Sequence, residues 1–579
     1  MNLFQSILDL FQDSGGGVSF TSLYSAVLRI SLPVLALIVV IRCAKSLLGF
    51  RREPEVWGWL RLMDGNLLPI THWENVIGRK KSADIVLDFA TVSKSHAVLT
   101  RHKDGSWTVT DVGSRGKVQV NGKTVETAPL EYGDTLSLGG LEMTLEPVSA
   151  REKQAQASKR TKAGKGVSPG LTLVLLTLFQ VLAALELCLN LEAENTTTIL
   201  TAFGLLIGIQ WLLFIGQKLI KRSGFEVETL AFFLSAMGLA VIASSDASEM
   251  LKQIVAMGIG IVIFLFIGWA LRDLERAQKV RYLAAAGGIL LLVANLAFGT
   301  ELYGAKNWIM IGSVSFQPSE LVKICFIFVG ASTLSRIVTK LNMVLFIVYS
   351  AFICGCLALM SDFGTALIFF VAFLVIAYLR SGSFAAIAFI CAGVGFAGVL
   401  AIKFFPYIMN RFQTWGHIWQ YADAGGFQQT RALMCIASGG LFGLGAGRGW
   451  LKYVFAADAD LVFAFISEEW GLLVAAAIVF ALAVLGLFVV RSATVGRSSF
   501  YTISACAAMS ILTMQAILNV FGTVDFLPLT GVTFPFVSNG GSSMMASWGL
   551  LAFIKACDTR QNASFAVPLS ARKGEMVNE

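Results

Sequence analysis

Hydrophobic and polar positions follow two different rhythms along this chain. An apolar run from about Tyr24 to Ile41 comes first. From about Val56 to Pro147 the pattern changes to short alternating runs broken by the turn dipeptides Asp104-Gly105, Asn121-Gly122 and Gly133-Asp134. Val118, Val120 and Thr124 flank the Asn-Gly pair at strand spacing, a hairpin signal, and several such signals at short intervals predict a β-sandwich. Beyond it lie twelve apolar spans at about 170–190, 198–219, 228–244, 251–270, 281–298, 319–337, 342–360, 364–379, 384–402, 461–490, 499–520 and 541–556. Most approach the roughly 20 residues that cross about 30 Å of hydrocarbon. The expected fold is a polytopic α-helical membrane protein of about 13 transmembrane helices, with an inserted all-β sandwich on the cytoplasmic side.

Composition agrees. Of 579 residues, 56% are hydrophobic and only 14% charged, too few charges for a soluble protein of this length. The net charge of +8 is therefore no sign of nucleic-acid binding, because Lys and Arg collect in the loops that the positive-inside rule assigns to the cytoplasm. Arg42, Lys45, Arg51 and Arg52 follow the first span, which has no basic leader and no small-residue cleavage site and so reads as an anchor. The N-terminus is then outside and the sandwich inside. Basic loops near 218–222, 272–281, 336–340, 380, 491–497 and 555–573 all fall on the cytoplasmic side. The connections near 245, 305, 361, 405–460 and 522–540 fall outside. Residues 151–168 form a basic linker that reads as a solvated tether. The nine cysteines are scattered singly, with neither metal spacing nor a disulfide framework, and no metal ligands are assigned.

Chemistry concentrates in the external connections. Ser438 to Gly471 runs from a glycine-rich stretch through Asp458 and Asp460 to Glu468-Glu469, and carboxylates at the mouth of a membrane helix are functional candidates. Gln317-Pro318-Ser319-Glu320 reads as a helix start, with Glu320 and Lys323 on one face. An ion pair between them is the plain account, although a lysine at that depth is rare. Asp362 opens the next helix, as a cap or as a site residue. Arg411, Gln428 and the Pro/Gly-broken segment Leu527 to Gly549, with Ser542, complete the set.

Two family resemblances follow from motifs. IGRKKSADIVLDFATVSKSHAVL, DVGSRGKVQVNG and LEYGDTLSLGG resemble a forkhead-associated (FHA) domain over residues 51–150. The resemblance implies a phosphothreonine protein as partner, held by Arg79, Ser93, Lys94 and Arg115, with His96 structural. Where the family has Thr-Asn-Gly this chain has Arg115, Gly116 and Lys117, so the asparagine that grips the bound peptide is missing. Lys94 stands where arginine is commoner.

GAKNWI with QPSE and Lys323, SDFGTA, SGGLFGLG with DADLVFAFISEEWG, and TGVTFPFVSNGGSS resemble, in order, the SEDS family of FtsW/RodA type over about residues 226–557. The anchor (1–50), two additional helices (169–225) and a cytoplasmic tail (558–579) fall outside that pattern. The resemblance implies an inverting peptidoglycan glycosyltransferase that polymerises lipid II on the outer face, in division, elongation or sporulation. Its partners are lipid II, the growing glycan chain and a class B penicillin-binding protein. It places the family's essential aspartate on Asp460, with Asp458 at the position of a histidine and Leu461 at that of a phenylalanine. Further motif residues fall on Trp308, Glu320 and Lys323. Asn307 replaces an arginine and Asn539 a tyrosine. A second carboxylate at 458 is expected to raise the pKa of its neighbour by like-charge repulsion. A divalent cation is a candidate cofactor, beside Lys323 and Arg411, for the pyrophosphate leaving group. Two other functions fit the same sequence: a flippase for lipid-linked precursors, and a non-catalytic signalling scaffold recruited through the FHA domain.

Overall fold

The chain threads twice between membrane and sandwich before its main bundle begins. The computed structural model describes residues 20–49, 53–81, 83–102, 104–163, 166–302, 305–312, 314–334, 340–382, 384–404, 406–560 and 562–565. Most of the predicted C-terminal tail lies outside them, as do the first nineteen residues.

The anchor is helix Phe20–Leu48, longer than its apolar run. Eleven strands between Gly58 and Glu146 then build the sandwich, one sheet of six and one of five. Asn121 and Gly122 both take positive φ (50° and 78°), and Val120 pairs with Lys123 across this two-residue turn, the hairpin that Asn-Gly predicts. Leu60, Ile77, Leu99, Trp107, Val109, Leu136 and Leu145 fill the space between the sheets.

The basic linker forms a largely exposed helix, Ala150–Ala163. Ser149 and Glu152 form a reciprocal capping box: the Ser149 hydroxyl accepts from Glu152 N–H at 3.3 Å, and Glu152 accepts from Ser149 N–H at 3.0 Å. This Ser-x-x-Glu signal is present in the sequence and outweighs the helix's uniformly polar character.

Ten helices among the described residues are long and apolar enough to cross a membrane. Helices Pro318–Leu334, Phe384–Phe404 and Gly541–Ala556 stand at the three other predicted spans. Glu226–Ser245 is the central helix, buried along its whole length, as an all-round apolar helix must be. The anchor and helices Pro169–Asn190 and Thr196–Leu219 all pack against it. One expectation fails: the single span at 461–490 is two helices, Val462–Glu469 and Leu472–Ala493, broken at Gly471 with φ 88°.

Buried ion pairs fasten the end of the bundle nearer the sandwich. Lys555 bonds Glu228 at 2.9 Å, and Arg560 bonds Glu226 at 2.8 Å and Asp558 at 2.7 Å. Ser46 of the anchor donates to Glu226 at 2.7 Å. Removing one partner from such a pair typically costs about 3–5 kcal/mol. The sandwich docks on the adjoining turn: Trp73 N–H donates to the Arg497 carbonyl at 2.7 Å, Arg497 meets Glu55 at 3.1 Å, and the Trp73 ring stands edge-on to Tyr501 at 5.9 Å.

Candidate active site

The carboxylates sit where three broken segments meet at the end of the bundle away from the sandwich. Ala456, with φ 53°, turns the chain into the short helix Ala457–Asp460. Asn519, a buried amide on helix Ser499–Thr523, donates to the carbonyls of Asp460 at 3.0 Å and Val532 at 2.9 Å. Ser538 donates to the Ala459 carbonyl at 2.5 Å. These bonds pin the aspartate turn to the Thr530–Ser543 segment. Gly531, with φ 68°, brings its backbone alongside Asp460, where an added Cβ would stand 3.3 Å from Oδ2.

Asp460 is half-buried. Desolvation pushes its carboxyl up to about 6; nearby Arg411 opposes the shift and Asp458 adds to it. The anticipated like-charge repulsion is thus present but secondary to burial. Arg411 also donates to the Leu529 carbonyl at 2.5 Å and lies within electrostatic reach of the aspartate. Asp458 accepts from Asn539 Nδ2 at 2.8 Å and from the Ser245 hydroxyl at 3.1 Å.

Glu320 and Lys323 form a 2.6 Å ion pair with only 5% and 1% of their side chains exposed. Lys323 therefore has Glu320 as its ion-pair partner, and it lies within electrostatic reach of Asp362. Asp362 caps helix Phe363–Ser381, accepting from Thr365 N–H at 3.0 Å. Ser542 accepts from Gln317 N–H at 3.0 Å, tying the Gln-Pro-Ser-Glu start to the Gly-Gly-Ser-Ser segment. Gln428 donates to the Phe455 carbonyl at 2.9 Å, just before the aspartate turn. It supports backbone there. Trp308 lies on the middle strand of a small sheet, Ala305–Ile311, and its carbonyl accepts from Thr300 of the same sheet at 3.0 Å. Among the described residues no three His, Cys, Asp or Glu side chains gather to hold a metal ion.

Glu468 and Glu469 have a role that sequence reading missed. Glu468 accepts from the N–H groups of Trp450 and Leu451 at 2.9 Å each, and Glu469 from those of Gly447 and Gly449 at 3.0 and 3.3 Å. Buried carboxylates otherwise in need of counter-charge thus hold the glycine-rich loop through its amides. Asn519 was also missed. A lone amide inside an apolar span was the available signal.

In the sandwich, Arg79, Ser93, Lys94 and Arg115 come together on one loop edge. Arg79 N–H donates to the Ser93 carbonyl at 3.0 Å, and Arg115 N–H to the Ser93 hydroxyl at 3.1 Å. Lys80 N–H reaches the Lys94 carbonyl at 3.1 Å. His96 is fully buried, accepting from Ser93 N–H at 3.1 Å and lying 3.0 Å from the Lys117 carbonyl, a structural role. Gly116 is packed so tightly that a Cβ there would stand 2.7 Å from Gly139 Cα.

Comparison with known proteins places both parts. Residues 226–563 match the FTSW_RODA_SPOVE model, described as cell cycle protein, and residues 75–139 match the FHA domain model. A probable peptidoglycan glycosyltransferase FtsW of Bacillus subtilis (strain 168) is 26% identical over 410 residues, covering 62% of this chain and 98% of that protein. The peptidoglycan glycosyltransferase RodA of Mycobacterium tuberculosis (strain ATCC 25618 / H37Rv) is 30% identical over 318 residues, covering 51% and 67%. Among solved structures, a chain from work on polymerization and crosslinking by a peptidoglycan synthase complex is 25% identical, covers 57% of this chain and 96% of that one, and gives a TM-score of 0.48.

Proposed function

For this chain, which belongs to the FtsW/RodA/SpoVE cell cycle protein family and carries an FHA domain, we propose the activity that its curated relatives are named for: it is a membrane peptidoglycan glycosyltransferase. It is a multi-pass membrane protein whose external face carries Asp460 and whose cytoplasmic face carries the sandwich. The donor is lipid II, and the acceptor is a sugar 4-hydroxyl of lipid II or of the growing glycan chain. The observation that carries this reading is Asp460 itself. It is a half-buried carboxylate fixed at both its backbone and its flank, with its pKa raised to about 6.

A carboxylate with that pKa is largely ionised at neutral pH and is still a useful base. In the reaction it takes the acceptor hydroxyl proton as the new C–O bond forms at the anomeric carbon. The bond from that carbon to the pyrophosphate breaks on the opposite face, undecaprenyl pyrophosphate leaves, and the configuration inverts. Arg411, adjacent to Asp460, supplies positive charge for the departing pyrophosphate. Lys323 contributes less, because Glu320 already balances it. A class B penicillin-binding protein is the partner that crosslinks the product. The Arg79, Ser93, Lys94 and Arg115 edge receives a phosphothreonine protein, with Arg115 and Lys117 supplying charge in place of the missing asparagine grip.

Reconstitution of the purified chain in vesicles with labelled lipid II tests the proposal. Growth of a glycan ladder on a gel supports it. Transfer of lipid II between leaflets without chain growth contradicts it and favours a flippase.

A further inference from the structure

The helices that the family pattern does not include reach the catalytic end of the bundle. Arg29, on the anchor, donates from its guanidinium to the Gly443 carbonyl. Glu186, on helix Pro169–Asn190 and only 2% exposed, accepts from Ala446 N–H through Oε1 at 3.3 Å. Its Oε2 has no hydrogen-bond partner among the described residues, and Arg29 and Arg448 are its charged neighbours. At the end of the same helix, Asn190 accepts from Arg448 at 3.1 Å. Leu191 lies so close to Gly447 that an added Cβ there would meet its Cδ2 at 2.6 Å.

The glycine loop is therefore held from two sides. Glu468 and Glu469 of the core take its amides at 447, 449, 450 and 451. Arg29 and Glu186 of the appended helices take Gly443 and Ala446. Ten residues after Gly447 the same backbone enters the Ala457–Asp460 turn. A buried ionisable side chain on a lipid-embedded helix is costly, and here its one hydrogen bond goes to this loop.

We propose that Arg29 and Glu186 are positioning residues: a clamp, contributed by the two helices that flank the FHA domain in sequence, that sets the glycine loop and through it Asp460. The inference deepens the glycosyltransferase reading and rests on it for its effect on turnover. It also gives the FHA domain a physical route to the opposite face. The sandwich hangs between the two clamping helices, so a partner that shifts the sandwich pulls on both sides of the clamp. Neither helix is needed to hold Asp460 chemically. Their action is on the geometry of the loop.

The test uses the full chain in nanodiscs, with Glu186→Ala, Arg29→Ala and the conservative Glu186→Gln, which keeps an oxygen for Ala446 N–H. Leu178→Ala, on the exposed side of the same helix, controls for helix packing. Hydrogen exchange is read over residues 443–460 and over the bundle, and labelled lipid II turnover is read as kcat and KM. Both alanine variants are expected to speed exchange in the loop alone. They lower kcat about 10- to 100-fold, the scale of a misplaced catalytic group, with KM within about twofold. Glu186→Gln recovers most of both. Unchanged loop exchange in a folded alanine variant overturns the clamp, and so does faster exchange spread evenly over the bundle, which marks a merely structural role. Since exchange needs no turnover, a wild-type chain that makes no glycan defeats the glycosyltransferase reading while the clamp is still judged.

Discussion

Asn539 donates from its side-chain amide to Asp458 at 2.8 Å, and its backbone N–H donates to the Asp458 carbonyl at 2.9 Å. These are two of the positions at which the chain departs from the FtsW/RodA motif pattern, and they meet each other beside Asp460. The motif resemblance puts a histidine and a tyrosine at these positions, and here a carboxylate and an amide form one complementary pair. The expected result is non-additivity. Asn539→Ala and Asp458→Ala each lower polymerisation about 3- to 10-fold, and the double variant is no worse than the poorer single, which is a coupling of about 1 kcal/mol. Additive losses in a double-mutant cycle contradict the pairing.

With Asp460 as the proposed base, activity is expected to follow its ionisation. The base must be deprotonated, so kcat/KM rises with pH through a midpoint near 6 and then levels. Arg411 holds the carboxyl down, so Arg411→Gln moves the midpoint up. Asp458 pushes it up, so Asp458→Asn moves the midpoint down. The pH–rate profiles of the three proteins check both signs.

The same carboxylate opposes folding. Its folded pKa of about 6 lies above the ordinary 3.8. The folded state therefore favours the protonated form, and stability is lost as pH rises from the unfolded value through the folded one. Asp460→Asn removes that penalty. Its Tm is expected to exceed that of wild type at pH 8, with the difference vanishing near pH 3.5, while turnover is abolished. A lower Tm at pH 8 would mean that Asp460 is a structural partner.

Gly116 is not a lost asparagine that can be restored. A Cβ at this position would have Gly139 Cα, Thr91 O and His96 Cε1 all within 3.2 Å, so Gly116→Asn overpacks the loop edge at a cost of about 1–3 kcal/mol. Titration of the full chain with a phosphothreonine peptide is expected to show no tighter binding than wild type, and exchange in the sandwich strands is expected to rise. Tighter binding at unchanged exchange contradicts this account.

Much of this was written in the sequence at the level of elements. Span length located the membrane helices, and Asn121-Gly122 located its hairpin, because each depends on local rules. The break at Gly471 was hidden because apolar runs flank Ser467–Gly471 on both sides. Glu468-Glu469 was the visible irregularity, but its meaning lay in amides some twenty residues earlier. Ser149 and Glu152 announced a helix that basic composition disguised. Glu186 and Asn519 are single polar residues in apolar spans. That such residues matter is legible, but which backbone they hold is decided by packing between helices far apart in the chain.

The most direct measurement compares wild-type and Asp460→Ala protein, equally folded and equally reconstituted, in a gel assay for glycan chains from labelled lipid II. The account predicts a ladder from wild type and none above background from the variant. Equal ladders from both would contradict it.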